Sequence, residues 1–330
     1  MSLIFYVGID VSKKELDYSV IRNNKEFLHF KSTNDLKGIR SFIAMLKKHE
    51  EFSFKTTLFC MEYTGIYNNK LLDYLLKENA YICLEPAIQI KKSGGILRGK
   101  NDKIDACRIA MYAYKNREEL RLWKPKREII DQLKLLTTVR SRLLNTKKQL
   151  IVPLNESEAF IKKDYVKISV LICKTSIKAL EKDIEKADKA IQELIDSDID
   201  LKRLHKIITS VKGIGTVTAT EIIICTNEFK DIKDPRKFAC YAGVAPFEHS
   251  SGSSIKGRTR VSKMANKSMK TLLHLAAMSA IQYCKDIRIY YDRKVREGKN
   301  KMSIINAVRN KLILRVFACV RQNRLYISIP

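Results

Sequence analysis

The chain is short of acids, of paired cysteines and of long apolar runs. It has 36 Asp and Glu against 63 Lys and Arg, which gives a formal charge of +27. This charge exceeds what solubility requires and implies a polyanionic partner: nucleic acid first, an anionic membrane surface second. No apolar run approaches the ~20 residues of a spanning helix, and the N-terminus lacks the basic-then-apolar layout of a signal peptide. We therefore expect a cytoplasmic protein.

The cysteines form no CxxC pair and have no histidines at zinc spacing, which argues against a zinc site or a disulfide framework. They are Cys60, Cys83, Cys107, Cys173, Cys225, Cys240, Cys284 and Cys319. Most lie in apolar runs, where a free thiol behaves as a small hydrophobe. With 330 residues, 45% of them hydrophobic, the chain is long enough for about two domains with real cores.

The stretch Phe5–Lys13 begins with an apolar run, and this run is interrupted by a carboxylate, Asp10. Its residue types predict a central strand covered on both faces. A second apolar run, Thr57–Met61, is closed in the same way by Glu62. Carboxylates at the ends of central strands lie over the sheet edge, where ligands bind.

Two more acids, Asp102 and Asp105, open a helical pattern and share one helical face. Each also has a purely structural interpretation, in which Asp102 caps the helix and Asp105 complements its dipole. Together with Asp10 and Glu62 they supply the carboxylate oxygens that Mg²⁺ or Mn²⁺ prefers. Two such ions about 4 Å apart neutralise charge on a phosphodiester under attack.

The order of elements in the first 125 residues is typical of a ribonuclease-H-like domain, an α/β fold with a mixed sheet. Segments 16–21 and 26–30 flank Arg22–Lys25 and predict a hairpin, so the first three strands form an antiparallel meander. A helix capped by Asn34 or Asp35, the strand ending at Glu62, a helix with a leucine stripe, and a strand at 80–84 follow. After a Gly- and Lys-rich loop at 91–103, a helix from about residue 102 to 116 ends the domain.

Residues 127–200 contain almost no glycine and one proline, Pro153. Apolar residues near heptad spacing predict two long helices joined near Pro153 as an antiparallel hairpin. This hairpin is either a spacer or a dimerisation arm.

The segment Ile207–Ala219 has the form of an apolar helix, a Gly-Ile-Gly turn and a second helix. In a helix-hairpin-helix, glycines such as Gly213 and Gly215 let backbone N–H groups approach a phosphate. An ordinary glycine turn is the alternative.

A polar stretch, 248–254, precedes a cationic run without an intervening acid, which we expect to contact nucleic acid: Lys256, Arg258, Arg260, Lys263, Lys267 and Lys270. Ser251, expected in a loop, is a candidate nucleophile for a phosphoserine link, with Arg258 or Arg260 steadying the phosphate. Ser-Gly loops are common, so spacing alone leaves a plain loop open. Apolar and basic helices are predicted at 266–283 and 303–321.

Four blocks together resemble the signature of the insertion sequence one-ten family of transposases. They are Val7–Lys13, Met61–Gly65, Lys100–Ala106, and Tyr241–Pro246 with its continuation through Ser251–Gly252 and Ser262–Asn266. The resemblance covers nearly the whole chain in the right order. Asn101 stands where threonine is often found before the third acid, at a position that is not a ligand.

The resemblance implies a RuvC-like DEDD catalytic domain at 1–125, a coiled-coil connector at 126–200 that serves dimerisation, and a helical transposase domain at 201–330. The third domain would hold the helix-hairpin-helix and a catalytic serine. The family's acids fall on Asp10, Glu62, Asp102 and Asp105, and its serine on Ser251, with Ser250 beside it as the alternative.

Family members excise and integrate a mobile element, and many are guided by a structured bridge RNA that pairs with donor and target DNA. They form dimers and tetramers in which the serine of one subunit meets the acidic site of another. A bacterial, nucleoid-associated protein is expected on this basis.

Three other functions fit parts of the sequence. A junction-resolving, metal-dependent endonuclease would use the four acids and water alone. A sugar-kinase-like or actin-like ATPase would share the Gly8–Asp10 strand, but no second glycine-rich phosphate loop is found. A non-catalytic nucleic-acid clamp would need the basic charge but not Asp10.

Overall fold

A computed structural model describes residues 3–93, 101–251, 255–262 and 264–327; for residue 158 and for strand residues 248–251 and 255–260 it describes the backbone alone. The chain divides into two compact units, Met1–Pro125 and Lys126–Pro330. The finer division of the second unit at residue 200 stays a prediction.

The first unit is built on a five-stranded mixed sheet. Its strands are β1 (Phe5–Val11), β2 (Glu15–Arg22), β3 (Lys25–Thr33), β4 (Thr57–Glu62) and β5 (Tyr81–Glu85). The spatial order is β3-β2-β1-β4-β5, with β1 to β3 antiparallel and β4 and β5 parallel to β1. The predicted mixed α/β fold is confirmed, and β1 is the central strand.

The β2–β3 hairpin turns at Asn23 and Asn24, as predicted. Their φ angles are 51° and 62°. Two successive residues in the left-handed region make the turn whose twist matches the flanking strands, and asparagine tolerates that region better than other non-glycine residues.

Helices cover both faces of the sheet. They are α1 (Leu36–Leu46), a short 3-10 helix (Gly65–Asn68), α2 (Asn69–Lys77), α3 (Ala87–Ser93) and α4 (Asp102–Lys115). Val7 and Ile9 of β1 pack in the core under α1 and α2, whereas Tyr6 packs in a second core with Ile109 and Ala113 of α4. Successive β1 residues therefore enter opposite cores, as a strand buried on both faces requires.

The predicted loop at 91–103 is partly wrong. Residues 91–93 end α3, which follows Pro86 directly, while 94–100 lie outside the described residues. Pro86 does stop β5, but proline also suits the start of a helix, because the missing N–H would have no partner there. Ile90 secures α3 by packing in the core shared with α4.

The second unit opens with the antiparallel helices α5 (Glu128–Phe160) and α6 (Lys163–Asp196). Arg140 pairs with Asp188, and Lys147 Nζ lies 2.7 Å from Glu181 Oε1. The helices join at Ile161 and Lys162, not near Pro153, so that expectation was wrong. Pro153 is accommodated within α5, because a proline removes only one helical hydrogen bond and its neighbours maintain the helix. Coiled-coil packing stays a prediction.

The remaining elements are α7 (Ile199–Thr209), α8 (Thr216–Thr226), α9 (Pro235–Tyr241), β6 (Pro246–Ser251), β7 (Ile255–Val261), α10 (Lys267–Tyr283), α11 (Lys285–Arg296) and α12 (Lys301–Arg321). The helices share one apolar core that includes Leu201, Ile223, Phe238, Leu273 and Leu312. Both predicted C-terminal helices are present, and α11 between them was not predicted.

The prediction that Ser251 lies in a loop was wrong. Ser251 is the last residue of β6, which pairs antiparallel with β7, and residues 252–254 lie outside the described part. Lys256, Arg258 and Arg260 alternate with Ile255, Gly257, Thr259 and Val261 along β7. This alternation with a period of two is typical of a strand, but the closely spaced basic residues drew attention to charge instead.

In the described residues, no helix is both long enough and apolar enough to cross a membrane.

Candidate active site

Two of the predicted acids lie at one edge of the sheet. In the parallel β1–β4 pair, Ile9 is opposite Met61, so Asp10 and Glu62 follow at the same level. Both carboxylates are half-buried, whereas the residues before them are fully buried. The apolar strands thus deliver two carboxylates to the carboxyl end of the sheet.

The other two acids begin α4. Asn101, not Asp102, is the N-cap, and its side chain accepts a hydrogen bond of 2.8 Å from Ile104 N. The capping role considered for Asp102 is therefore taken by its neighbour. Asp105 accepts a hydrogen bond of 2.8 Å from Arg108 Nη1, one turn further along.

The other three predicted acids act electrostatically on Asp10. Its pKa is raised to about 6, first by burial and then by the charges of Asp102, Asp105, Glu62 and Asp17. Like charges raise a carboxyl pKa only at short range, because water and salt screen them at larger separations. Asp10 thus experiences the charges of the other predicted acids, and we refer to this set as the acidic cluster.

The donor set of this cluster fits a hard divalent cation, because its ligand atoms are carboxylate oxygens and a positive ion would relieve the repulsion at Asp10. Within the described part of the chain, no three His, Cys, Asp or Glu side chains are arranged so that they could hold a metal ion. The carboxylate oxygens thus suit a metal, but the described side chains are not arranged to coordinate one in this structure.

Asp17 is a fifth acid that the sequence did not reveal. It lies opposite Asp10 in the β1–β2 pair and is only 4% exposed. Its Oδ1 lies 3.2 Å from His29 Nε2, and its Oδ2 lies 3.9 Å from Lys31 Nζ. Directly opposite residues of an antiparallel pair project from one face, so Asp17 borders the acidic cluster. An acid inside an apolar strand is the signal that could have indicated it.

Two buried amides hold the loops beside the acids. Asn68, fully buried, donates to Glu62 O at 3.0 Å and accepts from Thr64 N at 2.7 Å. Asn34 donates to Ser12 O at 2.8 Å and to Tyr67 O at 3.0 Å, which joins the loop after β1 to the loop after β4. These side chains fix the backbone next to both strand-end acids.

Ser251 and the cationic run belong to the second unit. Ser251 pairs with Ile255, and Ser250 pairs with Lys256. Lys256, Arg258 and Arg260 are described by their backbone only, and Lys263 lies outside the described residues. Lys267 is the exposed first residue of α10.

The base of the β6–β7 hairpin is closed by Tyr241 and Asn266. Asn266 Nδ2 donates to Tyr241 Oη at 2.8 Å, and Asn266 N donates to Tyr241 O at 2.8 Å. Asn266 also caps α10 by accepting from Met269 N at 2.9 Å. Burial raises the pKa of Tyr241 and that of neighbouring Cys225, the latter to about 12, so both remain protonated. These residues connect the two ends of the hairpin that carries Ser251.

The Gly-Ile-Gly turn joins α7 and α8, and its two glycines differ. Gly213 has φ +97°, and a Cβ there would lie 2.7 Å from Ala280 Cβ and 2.8 Å from Ala276 O of α10. Gly215 is exposed, lies at the N-cap of α8, and would have no atom within 4 Å of an added Cβ. The close approach of α10 to Gly213 leaves no room for a side chain, whereas the space beside Gly215 is open. Phosphate binding by these two glycines stays a prediction.

Two family models match separate parts of the chain. A family model described as "Transposase", of the DEDD_Tnp_IS110 type, matches residues 7–156 and so contains all four predicted acids. A second, described as "Transposase IS116/IS110/IS902 family", matches residues 205–292. The chain is a transposase. It belongs to the IS110/IS116/IS902 family, whose two domain models together match more than two thirds of it.

Similar curated proteins include the "Pilin gene-inverting protein" of Moraxella bovis, which is 28% identical over 97% of this chain and 96% of that protein. The "Insertion element IS110 uncharacterized 43.6 kDa protein" of Streptomyces coelicolor is 27% identical over 42% of this chain and 34% of that protein. Among solved structures, "T. thermophilus RuvC in complex with Holliday junction substrate" aligns with 36% of this chain and 99% of its own, with 13% identity and a TM-score of 0.26.

Proposed function

We propose that this transposase is an RNA-guided DNA recombinase that excises and integrates its insertion element with four metal-binding acids and a serine nucleophile. The observation that most supports the metal-binding acids is the raised pKa of Asp10, which is caused by burial and by the charges of the other three acids. A bound cation would relieve this repulsion and stabilise the ionised carboxylate.

In this proposal Asp10, Glu62, Asp102 and Asp105 hold Mg²⁺ or Mn²⁺. Bound divalent ions would neutralise negative charge on the scissile phosphate. Asp17 would stay outside the ligand set, because His29 and Lys31 already face its carboxylate. Its charge would add to the repulsion at Asp10 that a bound cation relieves.

Ser251 would attack the scissile phosphorus. Its Oγ–P bond forms as the bond between phosphorus and the 5′ or 3′ oxygen breaks, the Oγ proton is lost to solvent or a base, and the released oxygen takes up a proton. The strand end remains linked to the protein until a hydroxyl of the partner strand attacks the phosphoserine, which joins the two strands and restores the serine. The position of Ser251 at a strand end beside alternating cations supports this role.

The net charge of +27 supports binding of a bridge RNA, because it is larger than contact with a single DNA duplex requires. The resemblance to RNA-guided members of the family supports it as well. The similar protein of Moraxella bovis is named as a gene-inverting protein, which supports a recombination reaction on DNA. Gly215, Lys267 and the cations of β7 would contact nucleic-acid backbones.

The α5–α6 hairpin would serve as the dimerisation arm. Around its joint, large apolar side chains are solvent-exposed: Phe160 to 90%, Ile161 to 47% and Tyr165 to 61%. Exposed apolar groups in this number are typical of association surfaces. A dimer, and a tetramer of two dimers, would let the serine of one subunit act with the acids of another.

The test is an adduct assay on donor DNA with co-purified RNA. We expect Ser251→Ala to abolish the covalent protein–DNA adduct and strand exchange, and Ser250→Ala, the matched control, to retain both. Asp10→Asn should lose cleavage at every metal concentration. Loss of the adduct only in Ser250→Ala would move the nucleophile by one position. Metal-dependent cleavage that survives both serine substitutions would instead establish the junction-resolving nuclease.

A further inference from the structure

Three large apolar side chains are exposed directly beside the acidic site. Tyr63, Ile66 and Tyr67 are 50%, 76% and 39% exposed. Tyr63 follows Glu62 in the chain, and the other two belong to the 3-10 helix after it. We call these three residues the apolar ledge.

The backbone under the ledge is held firmly. Tyr63 N donates to Glu85 O at 3.0 Å, and Tyr67 O accepts from Asn34 Nδ2 at 3.0 Å. Between them, the fully buried Asn68 binds Thr64 N and Glu62 O. The exposed side chains of the ledge are therefore carried by a loop whose backbone is fixed. Such a loop suits a rigid contact with a ligand.

On the side of the neighbouring loop and α2, exposed lysines lie near the ledge. Asn34 joins Tyr67 O to Ser12 O, so the exposed Lys13 and Lys14 lie on the adjoining loop. Lys70 is exposed as well, and its Nζ donates to Asn34 O at 3.4 Å. Aromatic side chains among cations are the surface on which single-stranded nucleic acid stacks its bases.

We propose that the ledge stacks unpaired bases of the DNA strand whose phosphate occupies the acidic site. The inference rests on the proposed function, because a phosphate beside Glu62 brings its own base, one sugar away, to the neighbouring side chains. The transposase thus prefers DNA that is opened at the cleavage point over an intact duplex. Stacking is indifferent to base identity, so the ledge supplies selectivity for DNA structure and leaves sequence to other contacts.

The experiment uses the full-length protein and two DNA duplexes of equal length, one fully paired and one with a short unpaired bubble that carries 2-aminopurine. Binding is measured with Ca²⁺ in place of Mg²⁺, so that a cation can hold the phosphate at the acids while cleavage is suppressed. Wild type should bind the bubble more tightly and quench its fluorescence. Tyr63→Ala/Tyr67→Ala should lose the quench and weaken bubble binding by roughly tenfold, as for one lost stacked base, with duplex affinity unchanged.

Two controls keep the result specific. Tyr63→Phe/Tyr67→Phe should retain the quench, because the ring faces remain, and Tyr283→Ala, which removes a tyrosine that is 71% exposed in the other unit, should match wild type. Equal thermal unfolding of the variants rules out a folding defect.

The proposal is overturned if the double alanine variant keeps the preference for the bubble, or if it loses affinity equally for both DNAs. A change in oligomeric state without a change in DNA preference would also overturn it and make the ledge a protein interface. Asp10→Asn separates the two proposals: cleavage by this variant would defeat the proposed function, whereas an intact quench in it would uphold the ledge.

Discussion

Gly8 of β1 and Ala110 of α4 are in direct backbone contact. A Cβ added at Gly8 would lie 2.1 Å from Ala110 N and 2.3 Å from Ala106 O. The helix that carries Asp102 and Asp105 can approach the strand that carries Asp10 only because residue 8 has no side chain. The glycine two residues before the first acid thereby sets the distance between the two halves of the site.

Gly8→Ala should therefore push α4 off the sheet. We expect a loss of stability of about 1–3 kcal/mol or more, typical of overpacking against an element that cannot yield. DNA cleavage should fall further than stability alone explains, because Asp102 and Asp105 move with the helix. Chemical denaturation and cleavage rate, measured at a temperature where the variant is folded, test both. Gly215→Ala, where an added Cβ meets no atom within 4 Å, is the stability control; an equal effect there would contradict the account.

The pKa of Asp10 predicts how stability depends on pH in the absence of metal. Its folded-state pKa of about 6 exceeds its ordinary value of 3.8, so the folded protein binds the proton more tightly than the unfolded chain. The contribution of this group to stability is therefore present below pH ~4 and is lost as pH rises through ~6.

Asp10→Asn should remove the loss of stability that the ionised Asp10 causes above pH ~6. In EDTA near pH 7.5 we expect a gain of about 1 kcal/mol, after allowance for solvent screening of a half-buried group. The gain should vanish below pH ~4, and saturating Mg²⁺ should stabilise wild type but not the variant. Thermal unfolding across pH, with and without Mg²⁺, measures all three effects. A variant less stable than wild type in EDTA at neutral pH would show that Asp10 is not under repulsion.

Asn68 should matter for both stability and catalysis. Asn68→Ala leaves Thr64 N and Glu62 O without their partner, which costs about 1–3 kcal/mol when such groups are buried. The loop after β4 would then loosen, and cleavage should fall through a lower kcat. The neighbouring Asn69→Ala, which alters an exposed residue of α2, should change neither quantity. Denaturation and steady-state kinetics compare the pair, and equal behaviour of the two variants would argue against a framing role.

Arg127 should stabilise the second unit through two acids. Its Nη1 and Nη2 donate to Asp198 at 3.0 Å each, and its Nε donates to Glu228 Oε2 at 3.1 Å. Asp198 also caps α7 by accepting from Leu201 N at 2.8 Å. The Arg127 guanidinium lowers the pKa of Asp198, so its contribution to stability is present at neutral pH and is lost on acidification.

Asp198→Ala should therefore destabilise the protein by about 1–3 kcal/mol at pH 7, since it removes a cap and a bidentate pair that is partly screened. Asp198→Asn keeps the cap and should lose less. Urea denaturation at pH 7 and pH 3 compares them: the difference between wild type and Asp198→Asn should shrink at the lower pH. If it stays constant, the ion pair does not stabilise the fold.

Much of the first unit was predictable because its signals are local. Apolar strands that end in acids, the Asn23–Asn24 turn and the amphipathic helices each depend on residues close in sequence. Asp17 was not predictable in this way, because its position opposite Asp10 depends on the register of a strand pair. The Asn34 and Asn68 contacts likewise join segments that only the folded sheet brings together.

In the second unit, single strong signals were misleading. Pro153 suggested a break, yet the helix around it continues to Phe160 because packing against α6 outweighs one lost hydrogen bond. Four serines and one glycine at 250–254 suggested a loop, whereas cross-strand pairing extends β6 to Ser251. Local propensity is a weak guide where a paired element supplies the missing interactions.

The most direct test of the central claim is to map the metal on the polypeptide. Fe²⁺ is substituted for Mg²⁺ in the full-length protein, and ascorbate with peroxide generates radicals that cut the backbone near the bound ion. The account predicts cuts clustered near residues 10, 62 and 102–105, all suppressed by excess Mg²⁺ and absent in Asp10→Asn. Cuts at only one of these segments, or cuts that persist in Asp10→Asn, would contradict convergence of the four acids on a shared metal site.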